Sequence, residues 1–406
     1  MIPTVAETPP VLSSRRLVFI ANTMYSRILS GGDVHTLMMA EGALRHGHPV
    51  HFFAGHGLKL QLDERKLPVE LTLTDSGLLP VEKWDSLKGQ LTLLYDYTRR
   101  VRGSLRELHR ITPEDCIYLN TDFWWDVLPG IRSRAKRKLM ILGMDSPTLG
   151  QVLAASRADV KPIRLPSLHY WASQQLGLRL FQRCDRKKLF YVHPDQKPRL
   201  LRMGYREEEL IYISNGVDVA RADAIAEQPK RYDVVWTGRV HAQKGIEDLL
   251  ATLTHLAREL PDFQALLIGK VKERLEPRVR ELGLERHVTF SGYVSEDEKF
   301  RLLKCSRLFL MPSRYESWGI VVGEALACEI PVLAYRLDCY PAVFGDLVRC
   351  VPCFDAARYR AEAVRLVREL RAGQNYLEPA KLRQFKGENS WAAAQQKFCN
   401  AVAALE

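Results

Sequence analysis

The amino-acid sequence predicts an α/β protein with two doubly wound domains, and three observations support that prediction. The chain has 406 residues, which is enough for two or three domains that each bury a core. Short apolar, β-branched runs alternate with amphipathic helical stretches, as in right-handed βαβ units with a parallel sheet. The segment Ser214–Asp218 is rich in turn formers and separates one series of such units from a second.

The first series begins with a buried strand over Arg16–Ala21, a polar loop that contains Gly31 and Gly32, and a helix from about Asp33 to His46. Further strands are predicted at 49–55, 116–120, 138–143, 189–193 and 210–214. The regions 60–110 and 146–188 show a less regular pattern, and we interpret them as insertions.

The second series begins with a strand over Tyr232–Thr237 and a helix over Gly245–Leu260, whose leucines fall on one face at helical spacing. Its later strands are predicted at 264–269, 288–291, 307–311 and 330–335. Doubly wound sheets bind ligands at the carboxyl ends of their strands, so we look for a site in the loops that follow these strands.

Composition excludes several classes of protein. Apolar residues make up 46% of the chain and charged residues 26%, which argues against disorder. No run approaches the roughly 18 apolar residues of a membrane-spanning helix. The start of the chain has no basic flank and no apolar core of signal-peptide type. We therefore expect a cytoplasmic protein of enzyme size.

The net charge of +11 is concentrated in the first half of the chain. Basic residues are densest at Arg99, Arg100, Arg102, Arg106 and Arg110, and again at Arg132, Arg134, Lys136, Arg137 and Lys138. Such a face attracts phosphates, anionic lipid head groups or nucleic acid, and a solvated surface explains it equally well. Nucleic acid ranks below the others because no aromatic-basic platform and no reading motif accompany the charge.

The eight cysteines have no framework spacing. Cys350 and Cys353 form a lone CxxC without a second pair or a nearby histidine, whereas a zinc site needs four ligands. Buried, reduced thiols are the expected state, and a zinc or redox site at this pair is the less favoured alternative.

Two carboxylates carry the strongest signal of chemistry: Glu316 and Glu324, eight positions apart between two predicted strands. Glu316 is predicted in the loop at a strand's carboxyl end, and Glu324 one to two turns into a helix that starts near Gly319. The free N–H groups at this helix start, on Gly319, Ile320 and Val321, favour an anion, and the carboxylates can accept from sugar hydroxyls. The alternative is a solvated loop residue and an ordinary helix-surface residue.

Two cations follow the first strand of the second series, within Thr237–Gly245. Gly238 lets the backbone approach a ligand closely. Arg239 and Lys244 can reach into one cleft, where they suit the growing negative charge of a diphosphate leaving group. Two solvated surface cations are the alternative. Gly32 brings a glycine loop toward the same ligand from the first series, unless it marks a simple turn.

Together these residues resemble the family-4 retaining glycosyltransferases, a group of nucleotide-sugar enzymes with the GT-B fold. The resemblance covers most of the chain. It is close from about Ser214 to Asp355, and it is weaker over residues 56–110 and 146–190.

The resemblance implies two doubly wound, Rossmann-like domains that face a cleft. Residues 1–212 would form the acceptor-side domain and residues 213–386 the domain that binds the nucleotide sugar. A helix within 387–406, beginning after Ser390, would cross back to the first domain.

By this resemblance, Arg239 and Lys244 grip the diphosphate and Glu316 meets the hydroxyls of the transferred sugar, so these three are the catalytic candidates. Glu324 meets the ribose, and the stretch Ser291–Val294 reads the base through its backbone. The candidates for donor binding are Gly32, Gly238, Val294, Trp318, Gly319, Ile320, Val321 and Glu324. No metal ligand and no cofactor are expected. The substrate is a nucleotide-diphosphate sugar, with a UDP- or GDP-sugar favoured.

The chain departs from the family pattern at three places. A first-domain histidine near the transferred sugar is replaced by Met144 or Asp145. Glu329 stands where a glycine is common, and Tyr335–Pro341 replaces a Gly-Gly segment after the last strand. The first departure supports an alternative, a catalytically inactive nucleotide- or glycan-binding protein of this fold. The third leaves the donor sugar open.

The resemblance implies transfer of a hexose-type sugar with retention of configuration, without a metal, to a glycan, a lipid-linked molecule or another hydroxyl acceptor. Synthesis of cell-surface polysaccharide or glycoconjugate is the expected setting. The basic first domain predicts peripheral contact of this cytoplasmic protein with an anionic membrane. A nicotinamide enzyme is excluded because no G-x-G-x-x-G fingerprint follows the first strand. A sugar-phosphate phosphorylase or epimerase of the same fold stays open.

Overall fold

The structure, a computed structural model, describes residues 14–23, 31–75, 77, 87–143 and 164–405. Two parallel sheets organise these residues. The strands of the first sheet are β1 (Leu17–Ala21), β2 (Val50–Ala54), β3 (Glu70–Leu73), β4 (Cys116–Leu119), β5 (Arg137–Leu142), β6 (Arg186–Tyr191) and β7 (Leu210–Tyr212). The strands of the second sheet are β8 (Tyr232–Thr237), β9 (Ala265–Ile268), β10 (Val288–Gly292), β11 (Ser306–Met311), β12 (Val332–Tyr335) and β13 (Val348–Val351).

Helices connect the strands and cover both faces of each sheet. Those of the first half are Gly31–Arg45, His56–Arg65, Leu87–Arg106, Trp124–Arg132, Arg164–Gln182 and Gln196–Arg202. Those of the second half are Val219–Ala224, Ile246–Glu259, Lys272–Glu281, Glu296–Lys304, Ile320–Ala327, Cys339–Phe344, Ala356–Arg371, Pro379–Glu388 and Trp391–Ala403.

Both sheets are wound outward from their first strand. The strand order is β3-β2-β1-β4-β5-β6-β7 in the first sheet and β10-β9-β8-β11-β12-β13 in the second. The winding therefore reverses between β1 and β4, and between β8 and β11, and ligands of such sheets bind at these switch points. The predicted fold class, two doubly wound α/β units, is confirmed. The residue limits proposed for the domains stay predictions.

Two edge strands, β3 and β13, were not predicted from the sequence. β3 and β13 lie at the outer edges of their sheets, and each exposes part of its short span. Central parallel strands are buried on both faces and read as continuous apolar runs, as β1 does, whereas edge strands lack that signal.

The prediction of irregular insertions was wrong for residues 60–110. This region holds most of the helix His56–Arg65, β3, and the 20-residue helix Leu87–Arg106. The long helix buries Leu93, Tyr97 and Val101, which are spaced four apart, and its many arginines had hidden that periodicity. In the second of these regions, residues 144–163 lie outside the described residues, and a regular helix begins at Arg164.

The last helix, Trp391–Ala403, packs on the first sheet, as expected. The buried ring of Phe398 lies 6.2 Å from that of Phe19, 5.4 Å from that of Tyr118 and 5.8 Å from that of Phe190, measured between centroids. The chain thus crosses between the two sheets twice, and the crossings are bonded together. The Val217 N–H donates to the Asn389 carbonyl at 2.8 Å, and the Trp391 N–H donates to the Val217 carbonyl at 3.1 Å.

The loops that follow β8 and β11 are in direct contact. Gly245 has a φ of +65°, and a Cβ built on it would lie 1.8 Å from the Pro312 carbonyl oxygen. Next to this contact, the Arg314 N–H donates to the Gln243 carbonyl at 2.8 Å, and the Gln243 side-chain amide donates to the Tyr315 carbonyl at 2.8 Å. These contacts fix the two loops at the switch point of the second sheet.

All eight cysteines are free thiols, and five of them are buried. Across the described ranges, no group of three His, Cys, Asp or Glu side chains is arranged to hold a metal ion. No helix in the same ranges has both the length and the apolar composition to cross a bilayer.

Replacing Phe398 should destabilise the whole protein, because its ring joins the last helix to the first sheet. We expect Phe398→Ala to lower the free energy of unfolding by about 4 kcal/mol, measured by denaturant titration. Asn400→Ala, on the exposed side of the same helix, should change it by less than about 0.5 kcal/mol. Equal effects of the two substitutions would contradict the packing of this helix.

A substitution at Gly245 lowers the free energy of unfolding for two reasons, the contact with Pro312 and the left-handed backbone conformation. A control residue can separate these two contributions. Gly283 has a similar φ of +68° but no atom within 4 Å of an added Cβ, so it is a matched control. Gly283→Ala should lower the free energy of unfolding by about 1 kcal/mol, because of the left-handed conformation alone. We expect Gly245→Ala to cost about 3 kcal/mol, because it adds the clash with Pro312. Equal costs in the two variants would show that the loops do not need this contact.

Candidate functional site

Lys244 and Glu316 form an ion pair where the loops after β8 and β11 meet. Their Nζ and Oε1 atoms are 2.6 Å apart, and the side chains are only 14% and 10% exposed. Separate roles were predicted for these two residues from the sequence, and their pairing was not predicted. An ammonium group has three N–H donors, so Lys244 can hold Glu316 and still donate to a ligand.

Glu324 is held by a second lysine, Lys299. Its Oε1 accepts from Lys299 Nζ at 2.8 Å, and the same Nζ donates to Glu296 at 2.8 Å. Burial raises the pKa of the Glu324 carboxyl, and the charge of Lys299 opposes that rise. Burial also acts against the charge on Lys299, but the carboxylates of Glu324 and Glu296 raise its pKa above the ordinary value. The other oxygen of Glu324, Oε2, has no hydrogen-bond partner among the described residues.

The start of the helix Ile320–Ala327 lies between the two carboxylates in the chain. Gly319 caps it with a φ of +89° and ψ of +64°, and the Val322 N–H donates back to the Gly319 carbonyl at 2.8 Å. The first N–H groups of a helix have no intrahelical acceptor, so those of Ile320 and Val321 can serve an anion. The predicted loop-then-helix arrangement of Glu316 and Glu324 is confirmed.

Gly31, which belongs to the half of the chain that forms the first sheet, lies beside the start of the helix Ile320–Ala327. A Cβ built on Gly31 would lie 3.2 Å from Cδ1 of Ile320. The prediction that Gly31 and Gly32 lie in a loop was wrong, because both residues belong to the first turn of the helix Gly31–Arg45. Gly32 is exposed there. The amino-terminal ends of two helices, one from each half of the chain, therefore lie close together.

Arg239 and Gly238 lie in the loop after β8. Arg239 is exposed and has no ion pair within the described ranges, so its guanidinium is available to a ligand. A Cβ on Gly238 would lie 3.0 Å from the ring of Trp236, so glycine keeps the backbone close to that ring.

Trp318 and Val294, two of the residues expected to bind the donor, pack against the core of the second sheet. Trp318 is buried at 1% exposure, and its ring packs edge-on against Phe344 at 5.0 Å and beneath Gly323. Its side chain therefore supports the turn from the core instead of facing the cleft. Val294 is half-buried against the same core, whereas its neighbour Tyr293 is 79% exposed with Lys270 Nζ 5.0 Å from its ring centre.

A cavity of about 460 Å³ opens between the two sheets. His193 and Asp195 line it after β6, and Arg336, Asp338 and Pro341 line it after β12. Beside the cavity, the thiol of Cys339 donates to the carbonyl of Glu316 at 3.4 Å, so this space adjoins the carboxylate loop.

Four residues of the site were not predicted from the sequence: His193, Lys299, Arg336 and Asp338. The available signal for His193 was its position directly after a predicted strand. Its Nδ1 accepts from the Asp195 N–H at 3.3 Å. Met144 and Asp145, where the family histidine was sought, lie outside the described residues.

The predicted basic face on the first domain is smaller than expected. Arg100 is buried and donates to Asp96 at 2.8 Å and pairs with Asp75 at 3.1 Å. Arg110 pairs with Glu107 at 2.8 Å, and Lys138 is buried. Arg100 and Lys138 are therefore withdrawn from the surface and the exposed Arg110 is paired with a carboxylate, which reduces the charge available to a partner at this face.

Comparison with known proteins finds one matching family and several relatives. The family described as "Glycosyl transferases group 1" matches residues 221–378. Phosphatidyl-myo-inositol mannosyltransferase of Mycolicibacterium smegmatis is 31% identical over 265 residues, which are 62% of this chain and 67% of that protein. Glycogen synthase of Mycobacterium tuberculosis is 30% identical over 133 residues, 32% of each chain.

Solved structures share the architecture. Sucrose-phosphate synthase from Thermosynechococcus elongatus has a TM-score of 0.68 and 18% identity, over 96% of this chain and 99% of that one. The Anabaena protein HepE, solved in complex with UDP and glucose, has a TM-score of 0.63 and 17% identity, over 96% of this chain and 100% of that one. At these identities the likeness shows the fold, and the predicted GT-B fold is confirmed. Taken with the match to two thirds of a mannosyltransferase, these findings show that the chain is a glycosyltransferase of the group 1 family.

Proposed function

We propose that this glycosyltransferase moves a hexose-type sugar from a nucleotide-diphosphate donor to a hydroxyl acceptor, with retention of configuration and without a metal ion. One observation carries the proposal. Two carboxylates, Glu316 and Glu324, are each held by a lysine beside a helix N-terminus, at the switch point of the second sheet. Acceptors for hydroxyls and donors for a diphosphate thus lie around one cleft.

The diphosphate binds where positive charge is already present. The ammonium of Lys244 and the first N–H groups of the helix Ile320–Ala327 are held in place before the reaction begins, and the exposed guanidinium of Arg239 can approach the diphosphate from solvent. Donors arranged in advance stabilise the charge that grows on a leaving group without reorganising at that moment. They can therefore do the electrostatic work of a metal ion on a departing diphosphate.

The nucleoside lies on the Glu324 side of the helix start. Glu324 Oε2, which has no partner in the described part of the chain, is an acceptor for ribose hydroxyls. The backbone of Ser291–Val294 lines the base. The Anabaena protein HepE, which has a similar fold, was solved with UDP, and a relative by sequence is named a mannosyltransferase. We therefore favour a UDP- or GDP-sugar as the donor.

The sugar and the acceptor meet at the cavity beside Glu316. A space of about 460 Å³ falls in the range of small-molecule sites, and its imidazole, guanidinium and carboxylate groups suit hydroxyls. We assign the His193 imidazole, which lines this cavity, the contact with the transferred sugar that the resemblance gives to a first-domain histidine. Glu316, held by Lys244, accepts from a hydroxyl of the same sugar.

The transfer forms one bond and breaks one. The acceptor oxygen bonds to the anomeric carbon on the face from which the diphosphate departs, and the bond from that carbon to the phosphate oxygen breaks. The acceptor proton passes to the departing phosphate oxygen, while Arg239 and Lys244 hold the negative charge of the diphosphate. The acceptor is a hydroxyl of a glycan or a lipid-linked molecule, and cell-surface glycoconjugate synthesis is the setting we favour.

Loss of either cation should slow turnover without unfolding the protein. We expect Arg239→Ala and Lys244→Ala to lower kcat by about 10²- to 10³-fold, the usual cost of removing a donor from a developing anion. Sugar transfer to a glycan acceptor measures the effect. Arg258→Ala removes an exposed arginine from the neighbouring helix and should leave kcat unchanged. Near-normal turnover in both cleft variants would overturn the assignment.

The donor nucleotide should stabilise the protein in a thermal-shift screen of UDP, GDP, ADP and their common sugar conjugates. A ligand at 100 times its Kd adds about 2.7 kcal/mol, which raises Tm by several degrees. Glu324→Gln should abolish most of the shift, and Glu285→Gln, an exposed control, should retain it. Stabilisation without turnover on any acceptor would support the inactive nucleotide-binding alternative. No shift with any nucleotide would contradict the proposed donor class.

A further inference from the structure

Lys299 lies in a connection that crosses the second sheet. β10 and β11 follow each other in the chain, but β9 and β8 lie between them in the sheet. The helix Glu296–Lys304 makes this crossing and carries Lys299 to the helix Ile320–Ala327, which follows β11. The contact between Lys299 and Glu324 is therefore a result of the strand order, and no local pattern in the sequence encodes it.

The ammonium group of Lys299 joins two carboxylates. Its Nζ lies 2.8 Å from an oxygen of Glu324 and 2.8 Å from an oxygen of Glu296. The side chains of Lys299 and Glu324 are 15% and 11% exposed, whereas that of Glu296 is 60% exposed. Removing two charges from water costs about as much free energy as their attraction returns, so stability alone does not explain a pair this deep.

The groups around Glu324 act on its ionisation in opposite directions. Burial raises the pKa of the Glu324 carboxyl, and the positive charge of Lys299 lowers it. The negative charges of Glu296 and Asp218 raise it further. Of these three charged neighbours, only Lys299 favours the carboxylate form.

Cations on the other helices packed against the helix of Glu324 have carboxylate partners of their own. Arg221 pairs with Asp218 at 2.8 Å. Lys386 pairs with Glu329 at 2.8 Å. These pairs leave the ammonium group of the crossing helix as the cation in direct contact with Glu324.

We propose that Lys299 is a positioning residue, which keeps the Glu324 carboxylate ionised and leaves its Oε2 to accept from the ribose of the nucleotide. The inference rests on the proposed function, in which Glu324 binds the ribose. An ionised carboxylate accepts through both oxygens, whereas protonation turns one of them into a donor. Hydrogen bonds to an ionised acceptor are also stronger. The affinity for the nucleotide therefore follows the ionisation of Glu324, and Lys299 sets the pH at which that ionisation is lost.

The test uses two variants that shift the ionisation of Glu324 in opposite directions. Lys299→Met removes the cation and should raise the pKa of the Glu324 carboxyl, whereas Glu296→Gln removes a repelling charge and should lower it. Lys272→Met, which removes an exposed lysine from another helix, is the control. Each full-length protein is titrated by calorimetry with UDP, with GDP and with inorganic pyrophosphate, which has no ribose, from about pH 5.5 to about pH 9.

Lys299→Met should bind the preferred nucleotide about tenfold more weakly than the wild type at neutral pH. At the alkaline end of the range it should recover to within about threefold, because the carboxyl ionises there. The conservative variant Lys299→Arg should bind as the wild type does. Glu296→Gln should keep its affinity to a lower pH than the wild type, and pyrophosphate binding should be the same in all of these proteins.

A merely structural role of Lys299 predicts a loss that is equal at every pH and that extends to pyrophosphate, and this result would overturn the inference. If Lys299→Met does not fold, Glu296→Gln decides, because an unchanged or raised pH of half-maximal affinity contradicts the inference. Unchanged nucleotide binding in both variants overturns this inference alone. A wild type that binds neither nucleotide overturns the proposed function as well.

Discussion

The close approach of the Gly245 backbone to the Pro312 carbonyl is the contact on which the rest of the site depends. Only a residue without a Cβ can occupy that position, and the left-handed backbone conformation also favours glycine. β8 and β11 are neighbours in the sheet, so their loops leave from one edge where the winding reverses. Lys244 and Glu316 meet because these two loops are locked together.

The charges of the cleft are arranged in pairs that are nearly buried. An isolated charge would be costly at this depth, and the ammonium group of each lysine lies within hydrogen-bond distance of its carboxylate. A ligand with hydroxyls and phosphates can exchange hydrogen bonds with such pairs, whereas an apolar ligand would leave them without partners. The environment of Glu316 and Glu324 therefore suits the sugar nucleotide that we propose as the donor.

Two departures from the family pattern, at Glu329 and at the segment Tyr335–Pro341, change different properties of the protein. The first affects a backbone turn, and the second affects the lining of the cleft cavity. Glu329 has a φ of +61°, so this turn does favour glycine, and its carboxylate pairs with Lys386 at 2.8 Å. Arg336 and Asp338, which stand near the usual Gly-Gly segment, line the cleft cavity with polar groups. That difference bears on which sugar or acceptor is accepted, because side chains now occupy space that glycines would leave open.

Several features could be predicted from the sequence because they depend on local patterns. Apolar periodicity identified the central strands, turn formers separated the two series, and the spacing of Glu316 and Glu324 across a helix start identified the carboxylate site. Only the tertiary structure decided which groups meet. Lys244 and Glu316 are 72 residues apart in the chain, and His193 and Arg336 come from different sheets. No local pattern encodes such pairings, because they arise from the order of strands and the packing of the loops between them.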